Sequence, residues 1–67
     1  MNISLIVLPI PQTARYLGIA EQTLANWRGT GRGPKYVKAG GRILYKISDL
    51  EDFLNRNTID PEVRQEA

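Results

Sequence analysis

Gln22, Thr23, Asn26 and Arg28 lie within seven consecutive positions, and Arg32, Lys35, Lys38, Arg42 and Lys46 follow before position 47. Glutamine and asparagine carry amides that donate and accept at once, so each can pair bidentately with adenine, as arginine can with guanine. Long cationic side chains neutralise phosphates whatever the base sequence. Arg42 follows Gly40-Gly41 and is the best candidate for insertion into a minor groove. One group therefore suits base edges in the major groove, and the other suits the backbone beside it. A solvated helix face and a solubility device are the plainer explanations of the same residues. The elements that carry them decide between these.

Ile10, Ala14 and Leu17 recur at intervals of four and three, which marks one face of a helix. Pro9 and Pro11 fall where a first helical turn tolerates proline, because its N–H groups have no intrahelical partner. Gly18 is expected to end this helix in the left-handed conformation. A second helix is expected from near Ala20 to Gly29, with Leu24 and Trp27 on its buried side and Gln22, Thr23 and Asn26 on the other. Gly29-Thr30-Gly31-Arg32-Gly33-Pro34 reads as a loop. Two β-prone runs, Lys35 to Ala39 and Arg42 to Ile47, flank Gly40-Gly41 as in a tight hairpin. A two-residue turn sets Tyr36 opposite Tyr45 and Lys38 opposite Ile43, a cross-strand tyrosine pair that also leaves open a stacking platform for single strands. Both faces mix charge with apolar surface, so the pattern does not say which one meets the core. Ser48-Asp49-Leu50-Glu51 has the form of a capping box, and Leu50, Phe53 and Leu54 give the third helix an apolar side. The run Ile3 to Leu8 contains β-branched residues and reads as a strand that stops at Pro9.

Length and composition narrow the function. At 67 residues the chain has room for one domain and a modest core. It has no cysteine and no histidine, which removes disulfides, thiolate nucleophiles, the usual zinc ligands and the usual general base. Asp49, Glu51 and Asp52 crowd one helix start, where capping and the helix dipole already account for them. No enzyme activity, metal site or cofactor is expected. The apolar run near the start is far shorter than the roughly 20 residues of a bilayer span, so a soluble cytoplasmic protein is expected. The net charge of +2 conceals a division. Residues 1–48 hold seven basic side chains against Glu21 alone, a net of +6, whereas residues 49–67 come to −4. A chain polarised in this way can turn its positive part toward a polyanion.

Thr13-Ala14-Arg15-Tyr16-Leu17-Gly18-Ile19, Thr23-Leu24-Ala25-Asn26-Trp27-Arg28, Gly31-Arg32-Gly33-Pro34, Gly40-Gly41-Arg42-Ile43-Leu44-Tyr45 and Ser48-Asp49-Leu50-Glu51-Asp52-Phe53-Leu54 stand in a fairly specific order and spacing. In these segments the chain resembles the small excisionase and AlpA-type DNA-binding proteins, whose helix-turn-helix is similar to that of MerR-type regulators. The resemblance implies an α+β fold: a small winged helix-turn-helix with three short helices and a two-stranded wing, with room for an added N-terminal strand. It implies base reading by Gln22, Thr23, Asn26 and Arg28, and wing or backbone contacts by Arg32, Lys35, Lys38, Arg42 and Lys46. Members either bend DNA beside a recombinase or regulate promoters of a mobile element. The implied partners are double-stranded DNA, an integrase or recombinase, and further copies of the chain on DNA, in the nucleoid of a bacterial host.

Three departures stand against this pattern. Leu44 occupies a wing position that is often basic, Ala20 stands where serine or threonine commonly caps the second helix, and the apolar leader before Pro9 is longer than the family core needs. The leader is expected either to cover the wing or core as a third strand or to add a strand to a second copy. The resulting division is an extended strand over 1–9, the DNA-binding domain over 10–56 and a flexible acidic tail over 57–67. The alternative function is a protein-interaction adaptor working through the N-terminal strand and the wing.

Overall fold

Two adjacent glycines set the register of the sheet. The computed structural model describes residues 6–61. Gly40 and Gly41 take φ of 58° and 79°, the two left-handed conformations that a two-residue type I′ turn demands. The turn joins β2 (Val37–Ala39) to β3 (Arg42–Lys46), with Val37 opposite Leu44, Lys38 opposite Ile43 and Ala39 opposite Arg42. This is the pairing read from the sequence. Beyond it Tyr36 and Tyr45 face each other with ring centroids 5.9 Å apart. The strands are shorter than expected, because Lys35 and Tyr36 precede β2 and Ile47 already belongs to a helix.

The end of the apolar run supplies the third strand. β1 (Val7–Pro9) lies antiparallel to β3, with Leu8 opposite Tyr45 and Pro9 opposite Leu44, giving the order β1-β3-β2. Pro9 lies inside the strand, at its last position, which an edge strand tolerates because fewer ladder donors are needed there. Ile3 to Leu5 lie outside the described residues. Directly opposed residues share a face, so Pro9 and Val37 flank Leu44 and leave it half-buried. The apolar wing position is thus partly covered.

α1 (Ile10–Leu17) follows β1 without a loop and closes at Gly18, φ 72°, whose N–H meets the carbonyls of Ala14 and Arg15. α2 (Glu21–Thr30) runs past the expected end at Gly29 and closes instead at Gly31. The extension is held locally: the Thr30 hydroxyl donates to the Asn26 carbonyl at 3.0 Å and to that of Trp27 at 3.3 Å, and the Arg32 N–H donates to Trp27 O at 2.8 Å. α3 (Ile47–Arg56) begins before the expected capping box, with Lys46 at the N-cap and no side-chain cap. Tertiary pairing explains the shift. The Ile47 N–H donates to Ile6 O at 2.9 Å, so the contact with the N-terminal segment continues to the residue that opens the helix, and Ser48 is drawn into the first turn.

The core joins one buried side chain from each helix to one from the sheet: Ala14, Leu24, Leu50 and Tyr45. Leu8, Ile10, Leu17, Ile19, Trp27 and Ile43 pack around them. Burying a leucine fully contributes about 1.5–3 kcal/mol, so Leu24 and Leu50, both at 0% exposure, anchor their helices. Tyr45 is 1% exposed and settles which hairpin face turns inward, the one it shares with Ile43. Thr13 is buried as well, with its hydroxyl donating to Leu8 O at 3.2 Å and tying α1 to β1. The tail from residue 62 onward lies outside the described residues.

Candidate nucleic-acid interface

Successive residues of a helix advance by roughly 100°, so Gln22, Asn26 and Thr30 follow one another along the side of α2 opposite Leu24. All three are exposed. Gln22 Nε2 donates to Asn26 Oδ1 at 3.1 Å, one turn along the helix. The bond joins the two amides and uses neither Gln22 Oε1 nor Asn26 Nδ2, an acceptor and a donor, the combination that an adenine edge satisfies. Thr23 is half-buried at the margin of this face.

Arg28 stands apart from the other three. It lies roughly 160° around the helix from Asn26, and its Nη1 donates to the Tyr45 hydroxyl at 3.0 Å. The sequence holds a signal for this placement: Arg28 follows the core residue Leu24 by four positions, which puts both on the packed side. Tyr45 is buried and its hydroxyl is engaged, so the tyrosine pair does not form an open two-ring platform; only Tyr36, at 44% exposure, is accessible.

Arg32, Lys35, Lys38, Arg42 and Lys46 are all exposed. Among the described residues the ion pair is Arg56–Asp52 on α3, at 3.0 Å, and none of these five cations meets a carboxylate. Strand alternation separates them: Lys38 shares the face of Ile43, while Arg42 and Lys46 share that of Leu44. The wing therefore carries positive charge on both faces. A groove of about 340 Å³ lies at the end of α2 and the loop that leads to the hairpin, lined by Arg28, Arg32, Lys35 and Tyr36 together with Gly31, Gly33 and Pro34. Pro34 is buried, and Gly33 passes so close to the indole of Trp27 that a Cβ there would lie 2.6 Å from Cε3. Trp27 in turn packs against Phe53, with centroids 5.5 Å apart. Helical spacing assigns the indole to the core but does not show that it fixes the loop beneath three cations.

A family model described as a helix-turn-helix domain matches residues 7–58, from the first residue of β1 to just past α3. The chain belongs to that family. Its members are small excisionase- and AlpA-like DNA-binding domains, so α1 and α2 are the helix-turn-helix, β2 and β3 are the wing, and the domain binds DNA. The match includes Val7–Pro9, so the last part of the apolar leader belongs to the family unit rather than preceding it. A comparison with curated proteins finds no match. Among the described residues of the helix-turn-helix domain no helix is long and apolar enough to cross a membrane, and no group of three or more acidic side chains is placed to hold a metal ion.

Proposed function

We propose that this helix-turn-helix domain binds duplex DNA sequence-specifically, with α2 in the major groove and the wing against the adjacent backbone and minor groove. The observation that carries the reading is the exposed Gln22–Asn26 amide pair on the outer face of α2, beside a wing whose cations have no carboxylate partner among the described residues. Amides supply base recognition, and Arg42, Lys38 and Lys46 supply charge. The protein acts by binding alone, without catalysis or a cofactor. Its role is that of an excisionase-like directionality factor or a transcriptional regulator of a phage or mobile element in a bacterial nucleoid. An integrase and further copies of the chain on neighbouring sites are its proposed partners, since so small a reader makes only a limited contact by itself.

The test is a gel-shift titration on a site selected from random duplexes, comparing the chain with Asn26→Ala and Arg42→Ala. Loss of an amide pairing costs about 1–3 kcal/mol, so Asn26→Ala is expected to weaken binding by roughly 5- to 150-fold and to relax preference at one base pair. Arg42→Ala weakens binding on all sequences and flattens the salt dependence. Unchanged binding by both variants overturns the reading. Association with a protein that persists at high salt, with DNA affinity absent, favours the adaptor function instead.

A further inference from the structure

We propose that the groove formed by the end of α2 and the loop leading to the hairpin seats one phosphate of the DNA backbone, held jointly by Arg28, Arg32 and Lys35; the assignment rests on the duplex-binding reading above. The groove is electropositive. Among the described residues three cations and no carboxylate line the groove, whereas the C-terminus of α2 opposes an anion with only about half a negative charge. Positive potential wins by a wide margin.

The arginine is also held in place. A guanidinium has five N–H donors in a fixed fork. Arg28 commits one of its nitrogens to the hydroxyl of Tyr45, a side chain only 1% exposed, and so arrives at the groove already oriented. Its remaining donors suit the oxygens of a phosphate. The loop that lines the groove is held as well: Pro34 is buried, and Gly33 lies against Trp27 with no room for a Cβ. A volume of about 340 Å³ accommodates a phosphate group together with its bridging waters.

Position in the fold identifies the source of the phosphate. The backbone strand is what separates a major groove from the neighbouring minor groove. With α2 in one and the wing against the other, that strand crosses the helix–wing junction, where this groove opens. Arg28 is thereby a phosphate contact, not a reader of bases.

The experiment uses the full chain and duplexes in which single phosphates are replaced, one at a time, by uncharged methylphosphonates. Fluorescence anisotropy measures the affinity of the wild-type chain, Arg28→Lys and Arg32→Ala; Arg32 is exposed, so its variant retains the fold. The seat predicts one phosphate whose neutralisation weakens the wild-type chain at least fivefold and weakens Arg32→Ala much less. It also predicts that the slope of log K against log salt becomes shallower by about one unit in Arg32→Ala, and that Arg28→Lys keeps the slope but loses affinity equally on all sequences. Equal effects of every methylphosphonate in wild type and Arg32→Ala overturn the proposal. If Asn26→Ala still impairs binding in that case, the duplex-binding reading survives without the seat. Absence of any duplex binding ends both. Titration with pyrophosphate separates the other source: resonance shifts at the Arg28 side chain and Tyr36, with no differential methylphosphonate effect, assign the groove to a free phosphate compound and overturn its assignment to the backbone.

Discussion

Replacement of Gly33 by alanine strikes the point where the loop, the second helix and the third helix meet. Gly33 holds φ of 83°, a conformation that costs an L-residue about 1–2 kcal/mol. The added Cβ would also stand 2.6 Å from Cε3 and 3.1 Å from Cβ of Trp27. Those atoms belong to the root and ring of the indole, not to a free end that can swing aside. Relief requires the indole to shift away from Phe53, losing an aromatic contact that contributes about 0.5–1.5 kcal/mol. The expected destabilisation is about 2–3 kcal/mol, a large fraction of the roughly 3–10 kcal/mol available to a domain of this size, and it corresponds to a fall in Tm on the order of 10–20 °C. Urea unfolding followed by fluorescence of the single tryptophan and by circular dichroism measures it. Gly29→Ala is the control, because Gly29 lies inside α2, takes no positive φ, and a Cβ added there would meet nothing within 4 Å. That substitution is expected to stabilise by up to about 0.5–1 kcal/mol. A Gly33→Ala chain that unfolds within about 0.5 kcal/mol of the wild type, smaller than ordinary mutational effects, would refute the close approach of the loop to Trp27.

Three further outcomes are expected. Ala20 already has the extended N-cap backbone, φ −77° and ψ 151°, but no capping side chain, so Ala20→Ser is expected to stabilise by about 0.5–1 kcal/mol, seen as a Tm raised by several degrees in calorimetry. Tyr45→Phe removes the acceptor of Arg28; it is expected to lose about 1 kcal/mol in urea unfolding and to weaken duplex binding by anisotropy, whereas loss of stability alone would mean that Arg28 does not reach the DNA. Leu24→Ala empties the centre of the core, where Leu24 is 0% exposed, and is expected to cost about 2–5 kcal/mol, enough to leave the domain largely unfolded by circular dichroism at 37 °C.

The elements legible in the sequence are those fixed by local physics. Ile10, Ala14 and Leu17 mark a packed helix face by spacing alone, and Gly40-Gly41 restricts the hairpin to one turn and hence one register. What the sequence conceals depends on distant partners. The inward face of the hairpin is ambiguous by pattern because Lys38 shares it with Ile43 and Tyr45, and the choice is made by packing of Tyr45 among residues of all three helices. α3 starts ahead of its capping box because the bond from Ile47 to Ile6 outweighs that local signal. Thr13 does not stand out as a core residue, since a polar side chain seldom lies there unless its hydroxyl finds a partner, here Leu8 O. In the candidate site, Gln22 and Asn26 are legible from helical spacing, while the convergence of Arg28, Arg32 and Lys35 requires the path of the loop over Trp27.

Backbone amide resonances recorded while the ¹⁵N-labelled chain is titrated with its selected duplex test the central claim most directly. The largest shifts are expected in Glu21–Thr30 and in the hairpin from Val37 to Lys46, with the Gln22 and Asn26 side-chain amides moving alongside them. Shifts confined to α3 and β1, with the outer face of α2 undisturbed, would contradict it.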